Sequence, residues 1–253
     1  RGGVDEVPEH TLLAYAHALE VGADVIEVDL QLTADGVPVA LHDDDVDRTT
    51  DGTGPIAAMT LAEAQALDAG YQFTPDAGRS FPYRGMGLTI PSFEELLDAL
   101  AGELIAVEVK SGDLAVVQPI VDAIASRDIY QEIYVWSGEP DIAEALREAD
   151  PQLAVGLTYA EMLQLAALAD EDEASYVPPG PFAQIPLVLN SLEILDAALV
   201  ERCGRVGITV HAWTINDVAD MQELIGWGVD GIITDRPDLL LDERAHLGPL
   251  DGA

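Results

Sequence analysis

Apolar residues along the chain repeat with two periods, and the alternation between them predicts the fold. At residues 104–110, LIAVEVK, Ile105, Val107 and Val109 share one side and Ala106, Glu108 and Lys110 the other, as in a strand. Residues 25–30 behave alike, with Ile26, Val28 and Leu30 on one side and Glu27 and Asp29 on the other. Near-helical spacing of Leu12, Leu13, Ala16 and Leu19 predicts a helix over 8–19, stopped by Gly22. Thr60 with Glu63 and Ser92 with Glu95 form capping boxes for helices over 60–67 and 92–100. Beyond the strand at 104–110, helices are predicted at 114–126, 141–148, 160–168, 191–203, 217–227 and from Pro237. Strands between them are predicted at 129–137, 153–157, 183–189, 207–214 and 229–234.

This repetition of strand and helix predicts a parallel sheet. Seven strands, besides a short extension at 37–41, suit a (β/α)8 TIM barrel filling residues 1–253 as a single domain. The first helix arrives so early that the first barrel strand is expected upstream of Arg1. Residues 70–89, with Pro75, Gly78, Pro82, Gly85 and Gly87, read as an inserted loop. Its Tyr71, Phe73, Phe81 and Tyr83 suit either a lid or substrate wall, or a loop packed on the barrel rim. A second loop at 170–181 is expected to be the flexible segment.

Candidate chemistry gathers on the strand ends, where a parallel barrel works. Glu27, Asp29 and Glu108 interrupt apolar strands, where an unpaired charge is costly. Three converging carboxylates repel one another unless a cation compensates, and an all-oxygen set favours Mg²⁺ or Ca²⁺ over zinc. One divalent cation is therefore expected on Glu27, Asp29 and Glu108. Lys110, the sole lysine, suits either phosphate neutralisation or a salt bridge with Glu108 or Asp29. After the Asp35-Gly36 turn, residues 37–41 deliver His42-Asp43 near the carboxylates; His42 reads as a proton-transfer group or as a hydrogen-bonded structural imidazole. Trp213 shares a side with Thr209 and His211, as a ligand wall or a core filler. His10, His17 and His246 read as structural or exposed.

Composition narrows the partners. The formal charge of −36 opposes long-range attraction to nucleic acid or an anionic membrane, leaving cations and small molecules. Ten of the 11 basic residues are arginines, which suggests either a halophilic acidic protein or a lysine-poor genome. Cys203, the single cysteine, forms no intrachain disulfide, so a cytoplasmic location is expected, with a removed leader left open. No stretch approaches 18 uninterrupted apolar residues, so no stable membrane insertion is expected. No residue pattern points to a particular oligomeric state.

In order, the chain carries Arg1-Gly2, Pro8-Glu9-His10-Thr11, Glu27-x-Asp29, His42-Asp43, Glu108-Val109-Lys110, Trp213-Thr214-Ile215-Asn216 and a segment at 228–237. In this it resembles the glycerophosphodiester phosphodiesterase family, which reads His-Arg-Gly, Pro-Glu-Asn-Thr, Glu-x-Asp, His-Asp and Glu-x-Lys. His10 stands where that family has Asn, and the family's first catalytic histidine would precede Arg1. The resemblance implies a hydrolase of lipid and glycerol metabolism, acting with a metal on a glycerophosphodiester to give sn-glycerol 3-phosphate and an alcohol. It further implies a pair of histidines and attack by the substrate's own glycerol hydroxyl through a cyclic phosphate. His42, Lys110 and Arg1 are the expected catalytic residues, and Arg1, Lys110, Trp213 and Glu9 the expected substrate contacts. Two other readings stand beside it: a non-catalytic phosphate-ester-binding barrel, and a Schiff-base lyase or aldolase using Lys110. Nearby carboxylates oppose the second by holding the ammonium charged.

Overall fold

The chain, described over residues 1–189 and 191–247 in a computed structural model, follows the predicted alternation. Its contacts group it into two units, Arg1–Ala154 and Val155–Ala253. In the first, helix α1 (Leu12–Val21) starts at Thr11, whose side chain accepts from the Ala14 amide, and stops at Gly22, at φ 107°. The start falls later than residue 8 because the chain turns first: His10 has φ 54° and its amide donates to the Arg1 carbonyl at 3.1 Å. Strand β1 (Val25–Leu32) follows, then β2 (Pro38–Ala40), α2 (Leu61–Gln65) and α3 (Phe93–Ala99). Both predicted capping boxes are formed, Thr60 with Glu63 and Ser92 with Glu95.

Strand β3 (Leu104–Val109), α4 (Val117–Arg127), β4 (Ile133–Trp136) and α5 (Pro140–Ala149) follow, and β5 (Ala154–Val155) falls at the boundary of the two units. The strands form one sheet in the order β2-β1-β3-β4-β5. β1 pairs β3 in parallel, with Glu27 opposite Ala106 and Asp29 opposite Glu108, whereas β2 runs antiparallel on the edge. Pro38 is tolerated there because an edge strand leaves one row of amides unpaired. Ile26, Val28, Leu30, Ile105, Val107 and Val109 are buried, so the apolar side of the alternation is satisfied. The strand expected from residue 129 begins at Ile133, because Asp128 closes α4 in a left-handed turn.

Residues 70–89 contain no helix or strand. Arg84 lies over Phe81 and Tyr71, 3.4 and 4.2 Å from the ring centroids, and Phe73 meets Tyr83 edge to face at 5.3 Å. Its aromatics are thus packed on one another and on an arginine of the same loop.

The second unit contains α6 (Tyr159–Ala166), β6 (Phe182–Pro186), β7 (Val188–Leu189), β8 (Leu192–Glu193), α7 (Ala197–Arg205), β9 (Thr209–Trp213), α8 (Val218–Trp227), β10 (Gly231–Ile232) and α9 (Pro237–Leu247). β6, β9 and β10 are parallel neighbours with β9 in the middle. Two expectations are corrected. The helix expected from Ser191 starts at Ala197: β7 and β8 form an antiparallel hairpin through Ser191 at φ 67°, and Asp196 supplies the cap by accepting from the Leu199 amide. The segment expected to be flexible carries a 3-10 turn at Asp170–Ser175, clamped to α7 by Glu173 with Arg202 at 2.7 Å and Arg205 at 2.8 Å.

Candidate active site

The parallel register of β1 and β3 builds the site. Asp29 and Glu108 are direct partners across the ladder, and Glu27 lies two residues back on the Asp29 side. Their ligand oxygens all fall within 4.8 Å of one another. Asp29 is 1% exposed, the other two carboxylates 17%. Lys110, just past β3, stands 2.7 Å from Glu108 Oε1 and 3.4 Å from Asp29 Oδ1. Arg1 arrives from the opposite side: its Nε donates to Asp29 Oδ2 at 3.2 Å and its main-chain nitrogen to the Glu27 carbonyl at 2.7 Å. Gly2 lets this loop lie on α1, since a Cβ there would come within 2.6 Å of the Ala14 backbone.

Electrostatics in this cluster are those of a site short of positive charge. Burial pushes Glu108 up to about 7, aided by Asp29 and Glu27 and only partly offset by Lys110. Burial also disfavours the Asp29 charge, yet the His10 hydrogen bond and the Lys110 and Arg1 charges outweigh it and hold Asp29 well below the usual carboxylate range. Burial works against the Lys110 ammonium too, but Asp29, Glu108 and Glu27 overcome it and keep the side chain charged. Asp29 Oδ1 is buried and accepts no hydrogen bond within the protein. Clustered oxygen donors, one of them without a donor of its own, fit a hard divalent cation, and Glu27, Asp29 and Glu108 are the residues that would hold it.

His42 follows β2 and is tied to the cluster through the backbone, because the Leu41 amide donates to the Asp29 carbonyl at 3.1 Å. Its Nδ1 lies 2.7 Å from Asp43 Oδ1, so Nε2 is the ring nitrogen not taken by that contact. Asp43 therefore orients the imidazole, beyond shaping the turn. Arg48 in turn donates from Nε to Asp43 Oδ2 at 2.5 Å and grips Glu9 through both terminal nitrogens, at 2.6 and 2.8 Å. Glu9, expected as a substrate contact or as a residue orienting the Arg1 loop or the metal shell, is buried with both oxygens taken by Arg48, and Arg1 Nη1 is 3.9 Å away. It supports the Arg1 loop and the Asp43 side of the site.

Arg48 and His10 are the site residues that sequence reasoning missed. Arg48 is the one base in the acidic run 43–51, a signal that was there to use. His10, read as structural or exposed, is 3% exposed and lies with Nε2 2.9 Å from Asp29 Oδ2. His17 pairs with Glu6 at 2.6 Å and His246 is exposed. Trp213, at the end of β9 in the second unit, is half-buried and in register with Pro186. His211 on the same strand stacks on Phe182 at 5.6 Å.

A family model described as the glycerophosphoryl diester phosphodiesterase family matches residues 1–239. A glycerophosphodiester phosphodiesterase of Caldanaerobacter subterraneus subsp. tengcongensis is 34% identical over 248 residues, covering 96% of this chain and 94% of the relative. The crystal structure of a glycerophosphodiester phosphodiesterase from Agrobacterium tumefaciens superposes with a TM-score of 0.77 at 26% identity, over 96% of each chain. An Oleispira antarctica phosphodiesterase, solved with the product sn-glycerol-3-phosphate, gives the same TM-score of 0.77 at 24% identity, over 96% of this chain and 94% of that one.

Proposed function

Given that the chain belongs to the glycerophosphoryl diester phosphodiesterase family, a family of phosphoric diester hydrolases with a TIM-barrel fold, we propose that it hydrolyses glycerophosphodiesters to sn-glycerol 3-phosphate and an alcohol, with one divalent cation, Mg²⁺ or Ca²⁺. The match over residues 1–239 supports reading the chain as one catalytic domain. The observation that carries the reading is the meeting of Glu27, Asp29 and Glu108 within 4.8 Å, beside Lys110 and Arg1.

When bound, the cation supplies Lewis acidity at a phosphoryl oxygen. The chain's own groups do the rest. The Lys110 ammonium and Arg1 guanidinium pair with the remaining phosphate charge and fix the diester against the carboxylates. His42 Nε2, with Nδ1 held by Asp43, transfers a proton at one of the two reacting oxygens, as one member of the histidine pair that the resemblance implies. One P–O bond forms to the attacking oxygen and one breaks to the alcohol, whose oxygen takes the proton; one water is consumed overall.

The ion pairs of Lys110 keep it an ammonium and count against a nucleophilic amine, hence against a Schiff-base lyase. The test is release of glycerol 3-phosphate from glycerophosphocholine after chelation and re-addition of Mg²⁺ or Ca²⁺. Metal-dependent turnover that falls about 10²–10⁴-fold in His42→Ala is expected. Binding of glycerol 3-phosphate without turnover would leave a phosphate-ester binder instead.

A further inference from the structure

Among the described residues, His10 is a buried histidine in contact with the site that the mechanism leaves unused. It sits just before the Thr11 cap of α1, and Tyr15 is one turn into the helix, so the two occupy the positions that elsewhere hold an apolar staple. Here the staple is polar: His10 Nδ1 lies 2.8 Å from the Tyr15 hydroxyl, and the rings meet at 61°. Both side chains are shut from solvent, Tyr15 being 1% exposed. The left-handed backbone of His10, at φ 54°, turns the ring back toward β1, where Nε2 donates to Asp29 Oδ2 at 2.9 Å.

The two oxygens of Asp29 consequently differ. Oδ2 accepts from His10 and from Arg1 Nε, whereas buried Oδ1 accepts no hydrogen bond and has Lys110 Nζ 3.4 Å away. We propose that His10 is a positioning residue that divides the Asp29 carboxylate, holding Oδ2 inside the protein and presenting Oδ1 to the divalent cation, with Tyr15 fixing the ring that does so. This rests on the cation reading above. A carboxylate free to rotate presents either oxygen and must be ordered when the ion arrives; one held at Oδ2 is ordered beforehand, which is the work of a residue behind a metal ligand.

Calcium titrations by calorimetry on the full chain test it, in molar KCl to screen diffuse binding to the −36 surface. One saturable site is expected, absent in Asp29→Asn and about 10–100-fold weaker in His10→Ala. His10→Gln, whose amide can still donate to Oδ2, should return to within about threefold, while Tyr15→Phe weakens binding by about threefold or more. A His10→Ala affinity within twofold of the parent, with the site still abolished by Asp29→Asn, overturns the proposal and leaves the cation reading standing. No saturable site, or one indifferent to Asp29→Asn, removes the cation reading and this proposal together. Should near-ultraviolet dichroism show His10→Ala unfolded, Tyr15→Phe decides, and an unchanged dissociation constant there overturns it.

Discussion

Arg48 holds Glu9 with both terminal nitrogens, at 2.6 and 2.8 Å, across 39 residues of sequence, while its Nε reaches Asp43, the residue that orients His42. One guanidinium therefore ties the Pro-Glu loop at the start of the chain to the turn carrying the imidazole. Burial opposes the Glu9 charge, but the Arg48 hydrogen bonds together with the positive charges of His10, Arg48 and Arg1 outweigh it and hold Glu9 below the usual carboxylate range. Arg48→Ala leaves that buried carboxylate without its main partner, so stability should fall by about 2 kcal/mol, a value discounted for the half-exposed guanidinium. Urea denaturation measures this, and kcat should fall with it. Arg48→Lys should recover little of either, because an ammonium cannot make the two-pronged contact. A lysine variant with parental stability and turnover would show the clasp to be simple charge pairing.

Lys110 is expected to act through charge. In Lys110→Met the carboxylates lose their nearest ammonium and the substrate phosphate loses a partner, so KM for glycerophosphocholine should rise at least tenfold. Borohydride added during turnover should leave Lys110 unmodified by mass spectrometry; a reduced substrate adduct there would revive the lyase chemistry.

The Glu173 clasp on α7 predicts a pH dependence. Its hydrogen bonds to Arg205 and Arg202 lower Glu173 from 4.5 to about 2. A carboxylate so lowered contributes stability that is present above pH 4.5 and lost as pH falls toward 2. Melting temperatures of the parent and Glu173→Gln should thus differ at neutral pH and converge below pH 3, the variant being the less stable above. A constant gap between pH 7 and 2 would assign the effect to packing.

A charge of −36 on 253 residues should make the fold sensitive to salt. The melting temperature is expected to rise between dilute buffer and molar KCl as screening relieves self-repulsion. A midpoint indifferent to KCl would reject adaptation to concentrated salt and leave codon bias as the source of the lysine-poor composition.

Periodicity along the chain was enough to place seven strands, their helices and the carboxylates of β1 and β3, because alternation and capping are local rules read within a few residues. The same locality identified Glu27, Asp29 and Glu108, since a charge inside an apolar strand is conspicuous wherever its partners lie. It failed at the β7–β8 hairpin, where a left-handed serine reverses a chain that reads as strand then helix, and at 170–181, where Glu173 is ordered by arginines about 30 residues away.

Tertiary structure alone decided what pairs with what. That Asp29 faces Glu108 follows from a parallel register, and that Glu9 serves Arg48 follows from two loops meeting across 39 residues. Neither contact leaves a periodic trace. His10 shows the limit most sharply: as one residue it is a histidine before a helix, and only the fold sets one of its nitrogens on Tyr15 and the other on Asp29. Residue type and spacing determine which groups can carry charge into an apolar interior; which of them share a hydrogen bond depends on long-range packing, which no local pattern encodes.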